Sequence, residues 1–129
     1  MTSRTVTAVL PAPKERVFAF LSNIENLPKW ATEFARGLKL EGGRAKVVNS
    51  LGEFDFAIEA DAEIGVIDLY AGPSPDELAL FPTRVVDLPD GSAAYSFTMF
   101  QMPGMPDELF ESQYESLLRE FENIRREFA

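Results

Sequence analysis

Pro106 to Ala129 is a single amphipathic repeat, and it limits the possible folds more than any other segment. At about 100° per residue, Phe110, Tyr114, Leu117, Phe121, Ile124 and Phe128 fall within roughly 80° of one another. Glu108, Glu111, Glu115, Glu122 and Arg126 lie opposite. Pro106 suits a first helical position, Asp107 and Glu108 complement the positive N-terminal end, and Arg125 and Arg126 the negative C-terminal end. A helix with an aromatic stripe this long needs a broad apolar surface to lie on. The rest of the chain has to supply it.

Arg4 to Leu10 reads as a strand with Val6, Ala8 and Leu10 on one side, and Pro11 ends it. Ala12-Pro13 opens a helix with Pro13 at its first position, and Val17, Phe20, Leu21 and Ile24 recur at i, i+3, i+4 and i+7. Pro28 breaks the helical turn that follows Asn23. From about Phe34 to Phe100 the pattern is one of short strands punctuated by Gly42-Gly43, Leu51-Gly52, Gly72-Pro73 and Asp90-Gly91, an antiparallel meander.

Glu53 to Ala60 alternates most clearly, with Phe54, Phe56, Ile58 and Ala60 on one face and Glu53, Asp55 and Glu59 on the other. Residues opposite each other in a hairpin share a face, so the turns set the registers. A turn at Ser50-Leu51 places Val47 against Phe54, Ala45 against Phe56 and, on the outer side, Lys46 against Asp55. A turn near Leu88 to Ser92 places Val85 against Tyr95, Thr83 against Phe97 and Phe81 against Met99. The strand between them fits best with Ile67, Leu69 and Ala71 inward; a one-residue slip would turn Asp68 and Tyr70 inward instead.

The expected architecture is a single α+β domain over residues 1–129: a curved antiparallel sheet of about seven strands wrapped around a long C-terminal helix, with two short helices between strands 1 and 2. No repeat, linker or low-complexity run interrupts it. This order resembles the helix-grip fold of the START-related, or SRPBCC, superfamily. The resemblance covers nearly the whole chain. It is carried by Ala12-Pro13-Lys14-Glu15-Arg16-Val17-Phe18, by Asn23-Ile24-Glu25-Asn26-Leu27-Pro28-Lys29-Trp30, and by Phe97-Thr98-Met99-Phe100 with Pro103-Gly104-Met105 before the last helix. It points to the small bacterial polyketide cyclase/dehydrase-like branch. The resemblance implies a hydrophobic ligand held between the long helix and the sheet, with Trp30 near the mouth. It also implies a histidine where this chain has Leu69, a departure that weakens any imidazole-dependent role.

Composition narrows the chemistry further. The 129 residues include neither histidine nor cysteine, which removes Ser-His-Asp and Cys-His nucleophiles, the usual zinc sites and a thiolate-held cluster. The net charge of -9 is the reverse of a nucleic-acid reader's. The charge is uneven: residues 1–50 carry a net positive charge and residues 51–129 a strongly negative one. A solvated surface explains the cations better than a basic patch does. Neither a secretory leader nor a membrane span is expected, so the default address is cytoplasmic.

The aromatic inner face is the main functional clue. The candidate ligand contacts are Trp30, Phe54, Phe56, Leu69, Phe81 and Thr83. Tyr95, Phe97, Phe110, Tyr114 and Leu117 complete the set. The same side chains would equally fill a solid core. Tyr95, Thr83, Asp68 and Arg84 are the weak catalytic candidates, with Asp68 and Arg84 more simply read as an outer cross-strand ion pair. Glu53, Asp55, Glu59, Asp61 and Glu63 read as a solvated stripe, so no metal site is expected, and no cofactor. The expectation is a module binding a small hydrophobic or amphipathic ligand, such as a lipid, polyketide or aromatic compound. The alternatives are a polyketide cyclase/dehydratase-like enzyme using the same cavity, and a structural or interaction protein with a filled core. Either a monomer or a homodimer is expected.

Overall fold

The aromatic repeat forms the longest helix of the molecule, and the computed structural model, which describes all residues Met1–Ala129, lays it on a seven-stranded sheet. The elements are β1 (Ser3–Leu10), α1 (Lys14–Ser22), a 3₁₀ turn (Ile24–Asn26), α2 (Leu27–Trp30), β2 (Gly37–Glu41), β3 (Arg44–Asn49), β4 (Gly52–Asp61), β5 (Val66–Ser74), β6 (Glu77–Asp87), β7 (Ala93–Phe100) and α3 (Asp107–Glu127). The sheet order is β1-β7-β6-β5-β4-β3-β2, with every neighbouring pair antiparallel. Strands 2 to 7 are a plain meander, and β1 closes on β7 at the far edge.

Pro13 and Pro106 each stand one position before their helix, not in its first turn, because both adopt an extended ψ. Their carbonyls still accept the first helical bonds, from Val17 N and Phe110 N, each at 3.1 Å. Along α3 the buried residues are Phe110, Leu117, Glu120, Phe121 and Ile124, followed by Phe128, while Tyr114 is half-buried. Each fully buried Phe adds roughly 1.5–3 kcal/mol over its exposed state. The stripe is what holds α3 to the sheet.

The hairpin registers follow the apolar alternation. Val47 pairs with Phe54, Ala45 with Phe56, Val85 with Tyr95 and Thr83 with Phe97. The β6–β7 ladder ends at Thr83, so Phe81 and Met99 lie past it. In β5, Ile67, Leu69 and Ala71 are buried while Asp68 and Tyr70 lie on the other face. β5 then bulges between Ala71 and Ser74. Gly72 makes that bend possible, since a Cβ there would sit 1.7 Å from the Glu77 carbonyl oxygen.

Several outer-face expectations are corrected by the same ladders. Asp68 lies opposite Pro82 and Arg84 opposite Val66, so the two do not pair; Arg84 Nε instead donates to the Ile64 carbonyl at 3.4 Å. Lys46 is aligned with Asp55, but Asp55 Oδ1 accepts from Arg44 Nη2 at 3.2 Å. Asp55 is only 8% exposed, which removes it from the solvated stripe. Ala60, expected inward, is exposed, because β4 pairs with β3 only as far as Phe56 and runs on with β5 alone.

Candidate functional site

The early end of β3 creates the feature of most interest. β3 starts at Arg44, whereas β4 continues to Asp61, and a groove of about 570 Å³ opens where they part. Its apolar lining comes from Phe56, Ile58 and Ala57 of β4, Leu40 and Ala45 of the β2–β3 hairpin, and Ile24 before α2. Pro75 and Leu78 at the tip of the β5–β6 hairpin close one side. The polar groups are few: Glu41, Arg44 and Asp55, with the Gly42-Gly43 turn beside them. Both glycines hold positive φ, 57° and 76°, and a Cβ on either would meet nothing within 4 Å, so this rim stays low and open. An apolar lining with a few polar groups at one end is the general make-up of a small-molecule site.

A second cleft, of about 260 Å³, adjoins the first and shares Glu41 and Arg44 with it. Lys39 and Lys46 complete its lining. Lys39 Nζ lies 3.1 Å from Glu53 Oε2, both on the surface. Lys46 makes no ion pair.

The residues singled out from sequence separate into three groups. Phe56 lines the groove, and its ring also meets Phe34 at 5.8 Å between centroids. Trp30, Leu69, Tyr95, Phe97, Phe110 and Leu117 are buried in the core. There Phe97 touches Trp30 at 6.5 Å and Phe121 at 6.4 Å, and Tyr95 stacks on Phe121 at 5.6 Å. Phe54, Phe81 and Tyr114 are half-buried at the margin of that core, with Phe81 5.9 Å from Phe97 and the Arg4 guanidinium over the Tyr114 ring at 4.8 Å.

Thr83 and Tyr95 are brought together. The Thr83 hydroxyl donates to the Ile67 carbonyl at 2.5 Å, tying β6 to β5. Burial pushes the Tyr95 phenol well above its ordinary range, opposed by a hydrogen bond with Thr83. The phenol therefore holds its proton more tightly than a free phenol and is not poised to act as a base. Asp68 and Arg84 sit on the opposite face of the sheet, so the four weak catalytic candidates do not share one cavity. No group of three or more acidic, histidine or cysteine side chains is arranged to hold a metal ion.

One cluster was missed in the sequence. Ser116, Arg119, Glu120 and Asn123 form a polar stripe on the shoulder of α3 that grips residues 30–34. Glu120 Oε2 accepts from the backbone N–H groups of Glu33 at 3.1 Å and Phe34 at 3.0 Å. The Glu33 carboxylate takes two bonds from Arg119, at 2.9 and 2.7 Å, and one from Ser116 at 3.0 Å. Asn123 Nδ2 donates to the Trp30 carbonyl at 2.9 Å and to Thr32 Oγ1 at 3.1 Å. Arg119 holds the Glu33 carboxyl below its ordinary value, against burial. For Glu120 burial dominates and raises it to about 7; the two backbone N–H groups oppose that shift. The signal was present: Leu117, Glu120, Phe121 and Ile124 follow i, i+3, i+4 and i+7, which puts Glu120 on the buried face.

No protein-family model matches the chain, and no curated protein matches it by sequence. Solved structures do match it in shape. An uncharacterized protein from Bacillus thuringiensis superposes with a TM-score of 0.76 at 15% identity, over 98% of each chain. The Aha1 dimer from Colwellia psychrerythraea gives 0.73 at 12% identity, over 99% of this chain and 96% of that one. A START superfamily protein from Mycobacterium smegmatis gives 0.67 at 16% identity, over 98% and 99%. At these identities the likeness is one of fold: the chain has the START-like helix-grip architecture. No helix is long and apolar enough to cross a membrane.

Proposed function

We propose that the protein binds a small hydrophobic or amphipathic molecule, of the lipid, polyketide or aromatic kind, in the groove between the β2–β3 hairpin and β4. The observation that carries this reading is the groove itself: about 570 Å³, with Leu40, Ile58 and Ile24 exposing apolar surface and the buried Phe56 in its wall, beside only three charged side chains. Burying that surface under a ligand returns roughly 25 cal/mol for each Å² removed from water. Phe56 belongs both to the groove and to the aromatic inner face. The other sequence candidates, Trp30, Leu69, Thr83, Tyr95, Phe97, Phe110 and Leu117 in the core and Phe54, Phe81 and Tyr114 at its margin, support the groove from behind and do not line it. The likeness to a START superfamily protein fits a ligand-binding fold.

Displacement of a fluorescent apolar probe tests the reading. Ala57 is exposed and lines the groove, so Ala57→Trp fills the space without entering the core. The variant is expected to keep its melting temperature and lose most probe binding. Unchanged binding in Ala57→Trp would place the ligand elsewhere.

A further inference from the structure

Lys39 and Lys46 are direct partners across β2 and β3 and point to the same face of the sheet. Like charges placed so are destabilising unless something of opposite sign sits between them. Glu53 attends to Lys39, and Asp55, the residue aligned with Lys46 on its other side, is engaged by Arg44. Lys46 is left half-buried with no ion-pair partner, at the wall of a cleft that also holds Lys39 and Arg44. The wider setting makes this unusual. Residues 36–46 carry four of the chain's 12 cations and one carboxylate, Glu41, in a protein of net charge -9.

That cleft and the apolar groove have Glu41 and Arg44 in common, at the turn end of the β2–β3 hairpin. We infer that they form a single site for a single-chain amphipathic carboxylate. Its carboxylate lies among Lys46, Lys39 and Arg44, and its chain runs past Arg44 onto Phe56, Ile58 and Ile24. The head cleft, about 260 Å³, has room for a carboxylate. Arg44 is the hinge of the arrangement: its guanidinium is largely exposed and uses one nitrogen on Asp55, leaving its other donors for the ligand. Glu41 sets the opposing charge. This inference rests on the groove being a ligand site and adds the sign of the head group.

Calorimetric titration with decanoate, decanol and decylammonium, each below its micelle concentration at low salt, separates the two levels of the claim. Decanoate is expected to bind about fivefold tighter than decanol, and decylammonium more weakly than decanol, the size of preference that partly exposed ion pairs give. Raising sodium chloride to about 0.5 M should remove most of the difference, because the Debye length then falls well below the Lys39–Lys46 cleft's dimensions. Lys46→Met keeps the apolar stem and removes the charge; it should abolish the preference for decanoate, bringing its affinity to that of decanol in the same variant. Glu41→Gln should strengthen decanoate binding. Equal binding of all three ligands, tighter binding of decylammonium, or an unchanged preference in Lys46→Met would overturn the carboxylate assignment and leave the groove as a ligand site. Failure of all three to bind would overturn both.

Discussion

Thr83 illustrates how one residue's setting decides its role. A hydroxyl among Phe81, Val85 and Phe97 is a reasonable catalytic candidate, yet it donates to the Ile67 carbonyl and meets the Tyr95 phenol, so both polar groups are spent inside the core. Tyr95→Phe and Thr83→Val should each cost about 1 kcal/mol of stability, the net value of a typical hydrogen bond. The double variant should cost less than the sum, which urea denaturation of the four proteins would measure. Additive losses would show that the two hydroxyls act separately.

Glu120 is the other residue whose setting matters. Its carboxyl titrates near 7 in the folded protein against an ordinary 4.5, so the folded state holds the proton more tightly than the unfolded state. That contribution is complete below about pH 4.5 and is lost as pH rises through about 7. The groups facing it are Glu33, which reinforces the upward shift, and Arg119, which opposes it. Glu33 itself is shifted downward, and its contribution disappears only as pH falls below the ordinary carboxylate range. Unfolding free energies from urea denaturation should therefore decline between pH 5 and pH 8 in the wild type, at a slope no steeper than about 1.4 kcal/mol per pH unit. Glu120→Gln should flatten that decline. An identical pH dependence in the variant would contradict the assignment.

At the scale of elements, α3 does two jobs with neighbouring stripes. The aromatic one binds the sheet, and Ser116, Arg119, Glu120 and Asn123 hold the 30–34 segment that links α2 to β2. Hydrogen exchange tests this division. Glu120→Ala should speed exchange at the Glu33 and Phe34 amides while amides of the β6–β7 ladder keep their protection; loss of protection throughout would show a global effect instead. The first stripe was legible because helical and strand periods are local properties: the registers of β3–β4 and β6–β7 follow from turn position and alternation alone. The second was hidden because acids ordinarily mark the wet face of a helix, although Glu120 occupies the same angular sector as Leu117 and Ile124. The groove was not legible at all. It depends on β3 ending where β4 continues and on the bulge that Gly72 permits in β5, and neither length nor bend is written in alternation.

For the whole molecule, charge and shape coincide. The acids are spread over outer strand faces, turns and the exposed back of α3, while the β2–β3 hairpin gathers Lys39, Arg44 and Lys46 in the cleft that adjoins the largely apolar groove. An anionic amphipath approaching a protein of net charge -9 would be repelled over most of its surface and accepted there. Leu69 fills the core and offers no acid or base there. The most direct measurement is amide chemical-shift mapping during titration with submicellar decanoate. The expected perturbations centre on Gly42, Gly43, Ala45, Phe56, Ala57 and Leu78, with a second set at Lys39 and Lys46. Perturbations confined to the far side of the sheet at β1 and β7, or none at saturating ligand, would contradict the account.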